Sequence, residues 1–203
     1  MIQSTKSESN SPELDTSLFT MRLASAKAAA EAVFNNPDGE PEFEPDDVAS
    51  ARAAVDCLER LFASVPGTFT ALLEGARSGA EMLSGSRLQG LSEIVQNADD
   101  VGATEVRFLL QPDALLIAHN GRSVRLRDVH ALATPWITTK RHDSKAIGQF
   151  GIGLATLQAL SDTFDLHSGP YDIRFGAPII TAIEPLSIPP DFANADDTMN
   201  ADV

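Results

Sequence analysis

With one cysteine, Cys57, among 203 residues, the chain can close no internal disulfide and build no cysteine-based zinc site. Nothing in it therefore asks for an oxidising compartment. Bases are scarce as well: 15 Lys and Arg stand against 29 Asp and Glu, a net charge of -14. That excess disfavours non-specific binding to nucleic acid or to an anionic membrane surface. No apolar run approaches the roughly 18 residues that a membrane span needs. The N-terminal stretch MIQSTKSESNSPELD has no apolar signal-peptide core. A soluble, cytoplasmic protein is the expectation. What is present, 43% hydrophobic and 22% charged residues, is the composition of a globular protein with one domain of ordinary size and some flanking chain.

After a polar start, Leu18 to Phe34 reads as an Ala-rich helix, an accessory element ahead of the main domain. The segment Asn35 to Asp47, NNPDGEPEFEPDD, holds six acids, three prolines and no base. Self-repelling chain of this kind is expected to contribute nothing to a core, which puts a boundary after Asp47. Helices are expected over Val48 to Ala63, Thr68 to Leu83 and Arg87 to Val101, with Pro66-Gly67 and Gly85 as punctuation. The period then changes from helix to strand. Thr104 to Leu110 and Ala114 to Ala118 read as a hairpin turning at Gln111-Pro112-Asp113. A short helix near Leu126 to Ala133, a polar segment to Lys145, a Gly-rich loop and a helix over Ile152 to Ser161 follow. Strands are expected at Thr163 to His167 and Tyr171 to Phe175. From Glu184 on there are five acids and no base, so a disordered tail is expected. The resulting division is an extension (1–47), a main domain (48–180) and an acidic tail or truncated domain end (181–203).

Three features carry chemistry. On the Arg87 to Val101 helix, Leu88, Leu91, Val95 and Ala98 share one face, and Glu93, Asn97 and Asp100 share the opposite one. Those three polar residues are either a plain wet face or a site. Asn is a poor mid-helix residue, and Glu four residues before it can set a proton acceptor beside a metal-directed carbonyl oxygen. A Mg²⁺ ion takes hard oxygen ligands and often only one from the protein. The second feature is Ile147-Gly148-Gln149-Phe150-Gly151-Ile152-Gly153, which opens the helix at Ile152. Glycines let backbone N–H groups approach an anion, and a helix N-terminus favours phosphate. G-x-x-G-x-G reverses the dinucleotide fingerprint, and the chain contains no G-x-x-x-x-G-K-[ST], so Rossmann and P-loop readings are disfavoured. Third, six of the fifteen bases, Arg122, Arg125, Arg127, Lys140, Arg141 and Lys145, fall in one stretch with only Asp128 and Asp143 as acids. That island reads either as a lid over a polyanion or as a solvated loop.

LSEIVQNADDVGATEV, LLIAHNG and IGQFGIG, in that order and at those separations, resemble the GHKL superfamily of ATPases, named for gyrase, the heat-shock chaperone of ninety kilodaltons, histidine kinases and MutL. The likeness is strongest to the sacsin-type, chaperone-like branch and covers roughly residues 84 to 176. It implies a Bergerat fold of α/β class, an α+β sandwich of helices on a mixed, mostly antiparallel sheet, with ATP and Mg²⁺ between the helices and a mobile lid. By position it makes Glu93 the general base, Asn97 the Mg²⁺ ligand and Asp100 the helix-end acid, which contacts either the nucleotide or the groups that surround the metal. Gly148, Gln149, Phe150, Gly151, Ile152 and Gly153 become the phosphate loop, and Lys140 a lid lysine reaching the phosphates. His119 and Gly121 fall where the family reads adenine. There the pattern departs: the family places an Asp before x-G-x-G, whereas here His119 precedes Asn120-Gly121 and Ser123 replaces the second glycine. Sacsin-like relatives carry a similar HNG string. Relatives also continue into further strands and a transducer domain, where this chain turns Pro-rich and acidic after Phe175.

The function expected from the resemblance is Mg²⁺-dependent ATP binding with slow hydrolysis driving a chaperone-like conformational switch, with a protein client or partner. A histidine kinase is disfavoured because it needs a phospho-accepting His ahead of the Glu93 helix, and His119, His130, His142 and His167 all follow it. The alternative is a non-catalytic nucleotide-binding or protein-interaction module with an incomplete ATP site.

Overall fold

The computed structural model describes residues 12–65, 67, 71, 88–134, 161, 163–176 and 179–187. Among them lie α1 (Pro12–Asn35), α2 (Val48–Ala63), α3 (Leu88–Asp100), β1 (Val106–Leu110), β2 (Leu115–His119), α4 (Leu126–Ala133), β3 (Phe164–Ser168), β4 (Tyr171–Phe175) and β5 (Ile180–Ala182). The strands form two antiparallel sheets, β1-β2 and β3-β4-β5, so the described residues make a mixed α/β protein of the α+β kind. The helices expected over Thr68 to Leu83 and Ile152 to Ser161 fall, but for Ala71 and Ser161, outside the described residues.

The core begins with a seam of small side chains. Ala26, Ala29, Ala30 and Val33 recur along one stripe of α1 and are buried against α2, which presents Ser50, Ala51, Ala54, Val55, Leu58 and Phe62. Alanine facing alanine lets the two helix axes approach closely and excludes water without ordering long side chains. Asp47 starts α2: its Oδ1 accepts the Ser50 N–H at 2.8 Å, satisfying one of the amides that the first turn leaves without a helical partner. That bond, with the guanidinium of Arg22 beside it, holds the Asp47 carboxyl below its ordinary pKa.

The three-stranded sheet closes the core. Tyr171, Ile173 and Phe175 alternate inward from β4 and Ile180 joins them from β5, packing with Leu126, Val129 and Ala133 of α4. On the opposite face two cross-strand pairs sit in register. Asp165 takes both arms of Arg174 at 2.6 and 2.7 Å, and His167 Nδ1 meets Asp172 Oδ1 at 2.7 Å. His130 is drawn into the core by its place on the buried stripe of α4. It stacks on Phe62 with centroids 5.7 Å apart and meets Phe34 edge-on at 6.1 Å. Burial pushes its pKa down to about 4.

One expectation from composition is corrected here. The acidic segment 35–47 does not stand apart from the core. Phe43 packs against it with Arg22 over its ring, Glu44 Oε1 accepts both the Leu126 N–H (2.8 Å) and the Tyr171 hydroxyl (3.0 Å), and Glu40 pairs with Arg127. Two of its acids, Glu40 and Glu44, meet donors far along the chain, which a summed charge does not reveal. With α1 in the same core, packing runs on through position 47. Within 181–203, given above as an acidic tail or a truncated domain end, β5 pairs with β4, and Arg52 reaches the Ile183 carbonyl at 3.0 Å and Glu184 at 2.9 Å. The remainder of the tail from residue 188 lies outside the described residues.

Candidate functional site

The site is built where α3 ends and β2 ends. The helix terminates at Gly102, whose φ of +80° is a left-handed conformation that glycine adopts without a side-chain clash. Two backbone bonds close the terminus, Gly102 N–H to the Asp99 carbonyl and Ala103 N–H to the Ala98 carbonyl, both at 2.9 Å. This pairing satisfies the last carbonyls of the helix, and it turns the chain toward β1. The sequence DDVGAT thus encodes a helix stop.

The turn after β2 is fastened to that stop. Asn120 Oδ1 accepts the N–H groups of Thr104 (2.9 Å) and Glu105 (3.0 Å), and its Nδ2 donates to Thr104 Oγ1 at 2.9 Å. The Arg122 N–H donates to the Val101 carbonyl at 3.1 Å. Gly121 is pressed on Val101 so closely that a Cβ on it would stand 2.5 Å from Val101 Cγ2. The two motifs carrying Asn97, Asp100, His119 and Gly121 are therefore joined at one place. Asn120 and Gly121 have packing and bonding reasons to be what they are, whatever else they do.

His119 completes the turn differently. Its Nδ1 accepts the Gly121 N–H at 3.1 Å. The residue is exposed overall, yet partial burial of its ring pushes the pKa below the ordinary value. A lone pair engaged with an amide favours the neutral form in the same direction.

On α3 the faces differ from the expected ones. Ala98 is fully buried, but Val95 is 43% exposed and lines an open ridge with Ser92 and Asp99. Glu93, Asn97 and Asp100, expected as the wet face or the site, are each half-buried. The wet-face reading is thus corrected: solvent takes the ridge at positions 92, 95 and 99, spaced three and four apart. Three side chains with carboxylate or carbonyl oxygens on a partly covered flank form a hard donor set, chemically suited to Mg²⁺. Among the described residues no group of three or more His, Cys, Asp and Glu could hold a metal by itself.

Half of the basic island can be placed. Arg122 is forked onto Asp128 at 2.6 and 3.3 Å, and Asp128 also accepts the Arg125 N–H at 2.9 Å, tying the first turn of α4. Arg127 is paired with Glu40. Arg122 and Arg127 are therefore structural cations, which corrects their reading as part of a lid over a polyanion. Thr134, which opens the polar segment running to Lys145, is buried, with its Oγ1 donating to the His130 carbonyl at 2.6 Å. Lys140, the rest of the lid to Lys145, and Gly148 to Gly153 lie outside the described residues. Sequence reasoning passed over Val101 and Thr104. A Thr two residues beyond a helix-stopping Gly, with an Asn in the next turn, is the signal that could have found the second.

No family model matches this chain, and no solved structure does. A stretch of 88 residues, 41% of the chain, is 30% identical to "Protein NO VEIN" of Arabidopsis thaliana, and the chain spans 3% of the length of that relative.

Proposed function

We propose that this chain carries a Bergerat-type nucleotide-binding unit of the GHKL kind, which binds ATP with Mg²⁺, hydrolyses it slowly and uses it as a conformational switch in the manner of sacsin-type chaperones. The observation that supports this most is the join between α3 and the His119 turn. Two of the three motifs behind the resemblance meet there through three Asn120 bonds and the Val101 carbonyl. Asn97 carries the carbonyl oxygen assigned to Mg²⁺, Asp100 is assigned to the nucleotide, and Glu93, one helical turn before Asn97, is assigned the proton of the attacking water. A bound Mg²⁺ supplies charge neutralisation for the phosphates. Lys140 and Gly148 to Gly153 are assigned to the phosphates by sequence. The compartment proposed is the cytoplasm. No described helix is long and apolar enough to cross a membrane.

One observation favours a second reading, a binding module without turnover. Arg122 and Arg127 are occupied by Asp128 and Glu40, which leaves fewer cations to meet a developing phosphate charge. Thermal unfolding of the full chain with and without millimolar Mg²⁺-ATP tests both. A ligand at about 100 times its dissociation constant adds about 2.7 kcal/mol. An unmoved melting curve rejects nucleotide binding, and a shift without phosphate release selects the module.

A further inference from the structure

We propose that the Asn120-Gly121 peptide modifies itself: the Gly121 backbone nitrogen attacks the Asn120 side-chain amide with His119 as its base, and residue 120 becomes aspartate or isoaspartate with loss of ammonia. The reaction needs water and no nucleotide.

The nucleophile is prepared by one bond. The Gly121 N–H donates to His119 Nδ1 at 3.1 Å, so the proton to be lost already points at a basic lone pair. Partial burial holds the ring below its ordinary pKa, which keeps it neutral and able to accept at neutral pH. His119 is nonetheless an exposed residue, so a proton it takes can pass on to water. Glycine brings no side chain to shield its nitrogen. The contact of Gly121 with Val101, and the Arg122 N–H on the Val101 carbonyl at 3.1 Å, hold that nitrogen beside the ring.

The electrophile is prepared from the other side. Asn120 Oδ1 accepts the successive N–H groups of Thr104 and Glu105 at 2.9 and 3.0 Å. Two fixed backbone donors on one carbonyl oxygen are the arrangement that stabilises an oxyanion. Nδ2, the atom to be expelled, donates to Thr104 Oγ1 at 2.9 Å.

Loss of the proton to Nδ1 frees an electron pair on the Gly121 nitrogen, which bonds to Asn120 Cγ while the carbonyl pair moves onto Oδ1. As the carbonyl re-forms, the Cγ–Nδ2 bond breaks with its electrons on nitrogen. A proton returned from the imidazolium through water and the Thr104 hydroxyl lets that nitrogen leave as ammonia. Water then opens the five-membered imide at either of its carbonyls. The other described asparagines are built differently. The nitrogen after Asn35 donates to the Ala32 carbonyl at 2.9 Å, the one after Asn36 belongs to Pro37 and carries no hydrogen, and the one after Asn97 belongs to the fully buried Ala98 inside α3.

Peptide mapping by mass spectrometry of the full chain, aged at neutral pH, tests the proposal. Conversion at Asn120 is expected to run roughly tenfold faster in the folded chain than in the same chain unfolded in urea or in a synthetic peptide of residues 118–123, because only the fold supplies the two N–H donors. Hydroxylamine, which attacks the imide, should cut the aged chain after residue 120. His119→Gln can still accept the Gly121 N–H but takes no proton, and should slow conversion by about tenfold. A folded chain no faster than the unfolded chain and the peptide overturns the proposal, and this comparison needs no variant to fold. Conversion of Asn97 at the same pace as Asn120, no cut by hydroxylamine, or an unmoved rate in folded His119→Gln overturns it as well.

Discussion

Gly121 and Val101 touch so closely that the hydrogen on the glycine is the largest substituent the contact admits. Gly121→Ala is therefore expected to destabilise the chain by about 1 to 3 kcal/mol through overpacking, although this glycine has no left-handed φ. Asn120→Ala should cost less, about 0.5 to 1.5 kcal/mol, because the exposed Thr104 and Glu105 N–H groups exchange their shared acceptor for water. Urea unfolding of both variants checks this, and stabilities equal to the parent would reject the turn as a structural joint. Asn120→Asp keeps the acceptor and loses only the bond to Thr104, so it should fall between Asn120→Ala and the parent.

Glu93 and Asn97 share one half-buried flank of α3 but are proposed for different tasks. Glu93→Ala is expected to slow hydrolysis roughly 10²- to 10⁴-fold while nucleotide still binds. Asn97→Ala should instead weaken Mg²⁺-dependent binding itself. Phosphate release and calorimetry on the two variants separate these effects, and equal loss of binding in both would mark the flank as structural.

His130 predicts a pH dependence of stability. Its pKa is near 6.5 in the unfolded chain and about 4 in the core, so the unfolded state takes up the proton first as pH falls. The contribution is complete above about pH 6.5 and is lost progressively down to about pH 4, by roughly 3 kcal/mol in all. His130→Leu should flatten that part of the curve. A parent and variant with parallel stability profiles between pH 4 and 7 would refute the assignment.

Glu44 is expected to matter as much as a core residue despite its place in an acidic loop. It accepts from both the buried Tyr171 hydroxyl and the first amide of α4. Glu44→Ala should lower stability by about 1 to 3 kcal/mol, whereas Glu42→Ala, two residues away, should change it by less than about 0.5 kcal/mol. Thermal melts of the pair decide it.

Local pattern made much of the fold legible. The spacing of apolar residues and the Asp47 cap give α2 and α4 their observed ends, and alternation places β1, β2, β3 and β4 within two residues. β5 was not legible because three residues between Gly176 and Pro185 carry too short a period to read. The roles of Glu40 and Glu44 were hidden because their partners lie 87 and 82 positions away, beyond any local rule. Val95 misled because an apolar side chain can sit on an open ridge at small cost. At the site, the string of the His119 turn was legible, but its bonding to Val101 and Thr104 depends on two segments folding back on each other.

The core joins α1 and α2 to β4 and β5, while α3 and the β1-β2 hairpin lie between them in the chain. A ribosome therefore releases the Ala-lined helix pair long before Tyr171, Ile173, Phe175 and Ile180 exist to cover it. During that interval α2 waits on β4 and β5, and Phe62 on His130 of α4, while α3 and its hairpin close through neighbours already made. The nascent chain should thus finish its candidate site early and its core late, and for the time of synthesis in between it presents the kind of bare apolar helix surface that holding chaperones bind.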